Sequence, residues 1–279
     1  MRVLVGCEYS GRVREAFAAL GHDALSCDLL PSDQPGNHYQ GDIMDVIHNG
    51  WDLAIFHPPC TYLSVSGLHW NGRTPARAEK TEAALDFVRL LMGAPIHRIA
   101  VENPVSCIST RIRKPDQVIQ PWQYGADASK QTCLWLKNLP PLRQTELIDP
   151  RYVCCGNVLP EGIGKYGCAN CNGEKTARPR WANQTDSGQN KLAPSDDRWK
   201  LRSTTYQGIA DAFAAQWGSL GVSNGDEGRE DIIQNIPRIK PRSPIRFIIN
   251  AFFACGSSAS AMRSDPCVTS ATPAGASNA

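Results

Sequence analysis

The sequence predicts an α/β protein built on an open sheet, and three stretches predict it. Arg2-Val-Leu-Val-Gly6 is an apolar run that meets Cys7-Glu-Tyr-Ser-Gly11 and then a helical pattern, which is strand, tight turn, helix. Asp52-Leu-Ala-Ile-Phe-His-Pro-Pro-Cys60 is a second run of strand length, stopped by two prolines that cannot extend a ladder. Arg98-Ile-Ala-Val-Glu-Asn-Pro104 is a third, ending in a carboxylate, an amide and a proline. In open α/β sheets ligands bind just past such strand ends.

Length and charge bound the rest. A chain of 279 residues suits one main domain with an insertion and a tail. The divisions expected are a catalytic domain over 1–150 and 201–220, a Cys-rich insertion over 151–200, and a mostly disordered tail over 221–279. The net charge of +2 argues against a polybasic binder, so any nucleic-acid contact has to be built locally. No stretch reaches the ~18 apolar residues of a membrane helix, and Met1-Arg2 opens on a strand rather than a signal peptide, so a cytoplasmic protein without membrane contact is expected. Eleven cysteines, an odd number, read as thiols, metal ligands or nucleophiles rather than a disulfide framework.

In chain order, the first helix shows Val13, Ala16, Phe17 and Leu20 on one face and stops at Gly21, a residue suited to a left-handed cap. Asp23-Ala-Leu-Ser-Cys-Asp28 is the next strand, and the acid at its end suits the hydroxyls of a ribose. The spacing of Gly6 and Gly11 is looser than the dinucleotide fingerprint and marks a tight turn. After a third strand-like piece, Asp42 could accept from an adenine amino group.

A cysteine taken alone reads as a small buried hydrophobe. Cys60 differs because two prolines place it just past a strand end. The loop after it, Ser66 to Arg73, has Gly67 and Gly72 as hinges and carries Trp70 and Arg73, with Arg77 nearby, the equipment for closing over a base or a phosphate. A scaffold helix follows, with Ala84, Leu85, Val88, Leu91 and Met92 on one stripe. Ile119 to Gly125 and Gln131 to Lys137 alternate like strands.

From residue 151 the composition turns polar and Gly-rich. Cys154-Cys155 precedes Cys168-Ala-Asn-Cys171 by twelve residues, which resembles the half-sites of a thiolate zinc module, although adjacent cysteines make a poor chelate and an incidental or redox cluster remains open. Arg178, Arg180, Trp181 and Lys191 mix cations with an aromatic, suitable for phosphate and base contacts. Helical order returns over Thr204 to Trp217, with Tyr206, Ile209, Ala210, Phe213 and Trp217 on one face. Beyond it only Ile245 to Phe253 forms an apolar patch.

Taken in order, the glycine turn, Asp28, Asp42, Pro58-Pro59-Cys60, Glu102-Asn103 and the closing helix resemble the DNA cytosine-5 methyltransferases of compact phage and bacterial type, such as those of restriction-modification systems, over residues 1 to about 219 with a gap at the cysteine region. The resemblance implies a class I, Rossmann-like sheet that holds S-adenosylmethionine through Cys7, Glu8, Tyr9, Ser10, Gly11, Asp28, Asp42 and Pro58. It implies Cys60 as the thiolate that adds to carbon 6 of cytosine, Glu102 as the group facing ring nitrogen 3, and Asn103 as the residue that holds the loop, with DNA as the partner. Pro104 stands where the family has valine, and Lys130-Gln131-Thr132 stands where it has Gln-x-Arg-x-Arg, so the usual arginine is missing. Two other readings stay open: a silent nucleic-acid-binding relative, and an enzyme of the same fold acting on RNA or a free cytosine nucleotide. Cys154, Cys155, Cys168 and Cys171 are the candidate zinc ligands, and the oligomeric state is not legible.

Overall fold

The computed structural model describes residues 1–73, 75–160, 168–172, 175–195 and 197–221. The tail expected over 221–279 therefore lies, past Gly221, outside the described residues. The chain runs through β1 (Arg2–Gly6), α1 (Arg12–Ala19), β2 (Asp23–Asp28), β3 (His38–Gln40), β4 (Leu53–Phe56), α2 (Val65–Leu68), α3 (Pro75–Met92) and β5 (Arg98–Pro104). It continues through α4 (Ile108–Arg111), β6 (Gln117–Ile119), β7 (Thr132–Lys137), β8 (Arg151–Cys154), β9 (Asn157–Val158), β10 (Arg178–Arg180), α5 (Arg198–Ser203) and α6 (Gln207–Trp217).

Seven strands form one sheet in the order β3-β2-β1-β4-β5-β7-β6, parallel throughout except for β7, which runs against both β5 and β6. This mixed, mainly parallel architecture is that of a class I, Rossmann-like methyltransferase.

The near-continuous apolar runs of the central strands follow from helices on both faces. With side chains alternating along each strand, Val3, Val5, Leu53, Ile55, Ala100 and Leu134 point into one core with α1 and α6. Leu4, Ala54, Phe56, Ile99, Val101, Cys133 and Trp135 point into the other, against α3 and the turn Ile43–Ile47. The α6 layer sits unusually close. A Cβ built on Gly208 would overlap the Tyr124 carbonyl oxygen, so only glycine fits there. The α6 end is tied back by Trp217 Nε1 donating to Pro140 O at 3.0 Å and by Arg98 donating to Gly221 O at 2.8 Å.

Three expectations change. Leu20 is exposed at the end of α1, because that helix ends a residue earlier and turns its last position outward. Ile119 to Gly125 is not one strand: β6 stops at Ile119, and Pro121, lacking an N–H, opens a 3-10 turn whose ends Gln120 and Gln123 cap each other. The closing helix begins at Gln207 rather than Thr204, and the residues before it form the short α5. The insertion forms its own antiparallel sheet, β10-β8-β9. It docks on the main domain through stacked Trp122 and Trp181 (5.6 Å between centroids), Ala182 N donating to Asp127 Oδ1 at 2.8 Å, and two hydrogen bonds between Asn183 and Ser129.

Candidate active site

The register of the parallel strands sets the site. Gly6 lies opposite both Cys27 and Phe56, and Phe56 lies opposite Val101. One residue further on, Cys7, Asp28, His57 and Glu102 therefore form a row along the carboxyl edge. Backbone bonds carry the ladder into that row, with Cys7 N donating to Cys27 O at 2.7 Å and His57 N to Gly6 O at 2.9 Å.

At the β4–β5 end, the chain passes Pro58 and Pro59 and turns at Cys60, whose carbonyl accepts from Leu63 N and Ser64 N at 3.1 and 2.9 Å. Asn103 Nδ2 donates to Pro58 O at 2.8 Å, fastening this loop to the end of β5. The segment after the turn is laced to the chain beyond β5 by Cys107 N donating to Leu63 O at 2.9 Å. Cys60 is half-buried, and burial pushes its thiol up, with the charge of Glu102 adding to the effect and Lys130 and Arg202 opposing it. Burial also pushes on Glu102, but a hydrogen bond from His57, the Lys130 charge and a hydrogen bond from Thr132 outweigh it and hold the carboxyl below its ordinary range. His57 Nδ1 lies 3.0 Å from Glu102 Oε2. The site at rest thus holds a neutral thiol and an ionised carboxylate.

At the β1–β2 end, Cys7, Cys27, Asp28, Leu29, Gly41, Ile43, Pro59 and Phe87 line a cleft of about 360 Å³ that is open to solvent. Burial pushes Asp28 up to about 6, against a backbone hydrogen bond from Leu30. Asp42 caps the turn after Gly41, its Oδ1 accepting from Met44 N at 3.0 Å.

The turn residues of the first loop are largely engaged by the protein itself. Glu8 Oε1 accepts from Val13 N at 2.8 Å and from Ser10 Oγ at 3.1 Å, so this carboxylate caps α1 in place of a side chain at Gly11, which sits at φ 72°. Tyr9 Oη donates to Lys200 O at 2.8 Å, tying the loop to α5. Cys7 adopts φ 60°, the left-handed bend that lets the chain leave β1.

The four cysteines of the insertion come together, every Sγ within 4.8 Å of the others. Cys154 and Cys168 lie 3.6 and 3.8 Å from Cys171, and Cys155 lies 3.9 Å from Cys154. A tetrahedral ion bonded at about 2.3 Å separates its sulfurs by roughly 3.8 Å, so the cluster fits zinc. The adjacent cysteines can face one point because Cys155 takes φ 52° and Gly156 φ 79°, which folds the second thiol back toward the first. A backbone hydrogen bond at Lys175 pulls Cys171 down to about 6, helped by the neighbouring thiols.

Several residues of this site were not legible in the sequence. His57 read only as the residue before Pro-Pro, and Lys130 and Arg202 reach Cys60 from β7's approach and from α5, where Lys130 Nζ donates to Arg202 O at 2.8 Å. Arg14, fully buried, binds Ser26 Oγ, Ser32 Oγ, Gln34 O and Pro35 O at 2.8–3.1 Å and so fixes the loop beyond Asp28. Strand periodicity shows none of these partners. Of the cation and aromatic group in the insertion, Trp181 is committed to Trp122 and Arg180 to Asp186 O, so neither stands free for a base or phosphate. Trp70 stays exposed, with Arg73 over its ring at 5.0 Å.

No protein-family model matches the chain, and no curated protein does. Among solved structures it is similar to a protein described as a DNA modification methyltransferase encoded within an E. coli prophage, with 16% identity, a TM-score of 0.35, and coverage of 60% of this chain and 57% of that one. It is also similar to the Entamoeba histolytica methyltransferase EhMeth, with 14% identity, a TM-score of 0.37, and coverage of 53% and 58%. The match spans less than two thirds of either protein. What the site can do rests on this chain's own residues.

Proposed function

We propose that the protein transfers a methyl group from S-adenosylmethionine to carbon 5 of cytosine in DNA through a covalent adduct on Cys60. One observation carries the reading: the Pro58-Pro59-Cys60 loop serves two purposes at once, with Pro59 walling the Asp28 cleft and Cys60 standing next to Glu102. A ligand in the cleft and a ring against the thiol are thus set side by side.

The residues at hand fit the cofactor. Asp28 offers acceptors to ribose hydroxyls in the cleft, Gly41 lines the cleft beside it, and Asp42 keeps a second carboxylate oxygen beyond the one that caps the turn. Gly11 and Ser10 shape the turn, while Glu8 and Tyr9 support it from inside. S-adenosylmethionine supplies an electrophilic methyl group there. Carbon 5 of cytosine is a poor nucleophile, and addition of a thiolate at carbon 6 converts the ring to an enamine. Cys60 is the thiolate after losing its proton, helped by Lys130 and Arg202. Glu102 meets ring nitrogen 3, and Asn103 holds the loop at Pro58.

The target base has to leave the duplex to reach Cys60, and the exposed Trp70–Arg73 pair stands at the loop suited to cover it. Lys130, in the segment that lacks the family's arginine, and Arg202 supply positive charge near Cys60, and α5 adds Arg198 and Lys200 for phosphates. Zinc on Cys154, Cys155, Cys168 and Cys171 would hold the insertion in place as the element that meets DNA.

Incubation with methyl-tritiated S-adenosylmethionine and DNA, RNA or dCMP, followed by nucleoside analysis, tests the reading. We expect label in 5-methylcytosine of DNA. Cys60→Ser should lower turnover at least about a thousandfold while leaving cofactor affinity within about twofold. Label in RNA or dCMP alone, or near-normal turnover by Cys60→Ser, refutes it.

A further inference from the structure

Beside the Pro-Pro-Cys loop, β4 and β5 place two polar side chains on one face of the sheet. His57 continues the alternation of Leu53 and Ile55, and Glu102 that of Ala100, so both point toward the α6 side at the same level of the edge. Their side chains are only 8% and 14% exposed, and Nδ1 stands 3.0 Å from Oε2. The other imidazole nitrogen, Nε2, is buried and has no hydrogen-bond partner among the described residues. A side chain with one nitrogen left without a partner out of water is costly to keep. A buried histidine whose one bond goes to the carboxylate beside the candidate nucleophile is there for that bond.

We propose that His57 is a positioning residue for Glu102: its Nδ1–H holds Oε2, which turns Oε1 toward the substrate ring and stabilises the carboxylate charge both at rest and after Oε1 has relayed a proton to the ring. The inference rests on the cytosine reading above. The step balances with S-adenosylmethionine as methyl donor and solvent water as the final base. As Cys60 sulfur bonds carbon 6, its thiol proton passes to the ionised Oε1 and on to ring nitrogen 3, and the carbon 5–carbon 6 pair shifts toward carbon 4 to give the enamine. Glu102 is then a carboxylate again, its charge held by His57. Carbon 5 takes the methyl group, a water takes the carbon 5 proton, and the pair left behind re-forms the carbon 5–carbon 6 bond as Cys60 leaves as a thiolate. The nitrogen 3 proton returns through Oε1 to the sulfur, so neither Glu102 nor His57 is consumed.

The groups around the pair are Cys60 from the loop after β4, Lys130 just before β7 and Thr132 at its start, with Cys133 on the opposite face of β7 within reach of the Glu102 charge and Arg202 of α5 acting on Cys60. Lys130 and Thr132 favour the ionised carboxylate as His57 does, while burial opposes it. Removing the His57 donor therefore makes Glu102 keep its proton to higher pH and makes it a weaker acid toward the ring. A residue that only filled space would not change the pH at which Glu102 titrates.

The test is the pH dependence of single-turnover methylation in the full-length protein, with adduct formation on DNA containing 5-fluorocytosine measured in parallel. Fluorine cannot leave as a proton does, so the Cys60 adduct persists whether or not His57 matters. Glu102 has to be ionised to take the thiol proton, so we expect His57→Leu to lower the plateau rate roughly tenfold and to move the acid limb upward by about one pH unit. His57→Asn, whose amide can reach Oε2, should restore both the limb and most of the rate. His57→Ser, too short to reach, replaces the leucine variant if that one does not fold. An unmoved acid limb in a folded donor-less variant, or a folded asparagine variant no better than leucine, overturns the role of His57. Absence of both adduct and methyl transfer in the wild type overturns the cytosine reading and this inference with it.

Discussion

The carboxyl edge of the sheet and the Cys-rich insertion are ordered by different means. At the edge, Cys7, Asp28, His57 and Glu102 stand in a row because four strands share one ladder, and the ladder is pinned between two apolar layers. In the insertion, only Val153, Cys154 and Ala177 are buried among the described residues of 151–195. Its strands are four, two and three residues long, too short to bury a core of their own. Where apolar burial is this small, order has to come from cross-links, and the four clustered thiols are the available ones. The edge can therefore tolerate loss of a polar contact, whereas the insertion depends on one group of ligands.

The largest effect that follows is on the insertion. Cys168→Ser, or a strong chelator, should remove about one equivalent of zinc and with it the order of residues 151–195, since thiolate sites contribute on the order of 10 kcal/mol to folding. Elemental analysis, hydrogen exchange over the insertion and a thermal melt of the main domain check this. A metal-free protein whose insertion stays protected from exchange would show that the contrast between the two regions is false.

A smaller effect, on the other side of the comparison, is expected at Gly208. Adding a methyl group against the Tyr124 carbonyl oxygen forces α6 away from the segment it packs on. Gly208→Ala should lower global stability by on the order of 3 kcal/mol in denaturant unfolding, with zinc content unchanged. Zinc loss in this variant would mean that the two regions are not independent.

The smallest effect concerns one polar contact at the edge. Burial raises Asp28 from 3.8 to about 6 in the folded protein, so the folded state holds this proton more tightly than the unfolded chain. The cost of ionising it is absent at low pH, appears as pH climbs from the unfolded value through the folded one, and is complete above about 6. Hydroxyl donors favour the ionised carboxylate, so S-adenosylmethionine affinity should rise as pH passes upward through that value. Asp28→Asn should weaken binding by about 1.5 kcal/mol, roughly tenfold, near neutrality and flatten the rise. Calorimetric titration at about pH 5 and about pH 7.5 checks both, and an equally steep rise in the variant would assign the dependence to another group.

What could be read from the chain differs between the same two regions. Among the described residues, the strand runs at 2–6, 23–28 and 98–104 and the long helix before Met92 are present within a residue or so, because buried parallel strands and an amphipathic helix leave their period in the sequence. Composition marked residues 151–200 as different but hid their strands, which are too short for alternation to show. Trp181, which looks free for a base, is occupied by Trp122, a partner far away in sequence.

By itself, then, the sequence determined the buried strands of the central sheet at 2–6, 23–28 and 98–104, the apolar stripe of the long helix, and that Cys60 follows a strand end stopped by two prolines, since these are local consequences of side-chain period and of proline's missing N–H. It could not determine the register, because pairing depends on how both cores close. The register alone brings His57 of one strand to Glu102 of the next, 45 residues away. The same holds for Lys130, Thr132 and Arg202, and for the fold-back at Cys155 that lets adjacent thiols share one site. Each is a polar contact between segments whose meeting is decided by apolar packing elsewhere, and so only the tertiary structure could place it.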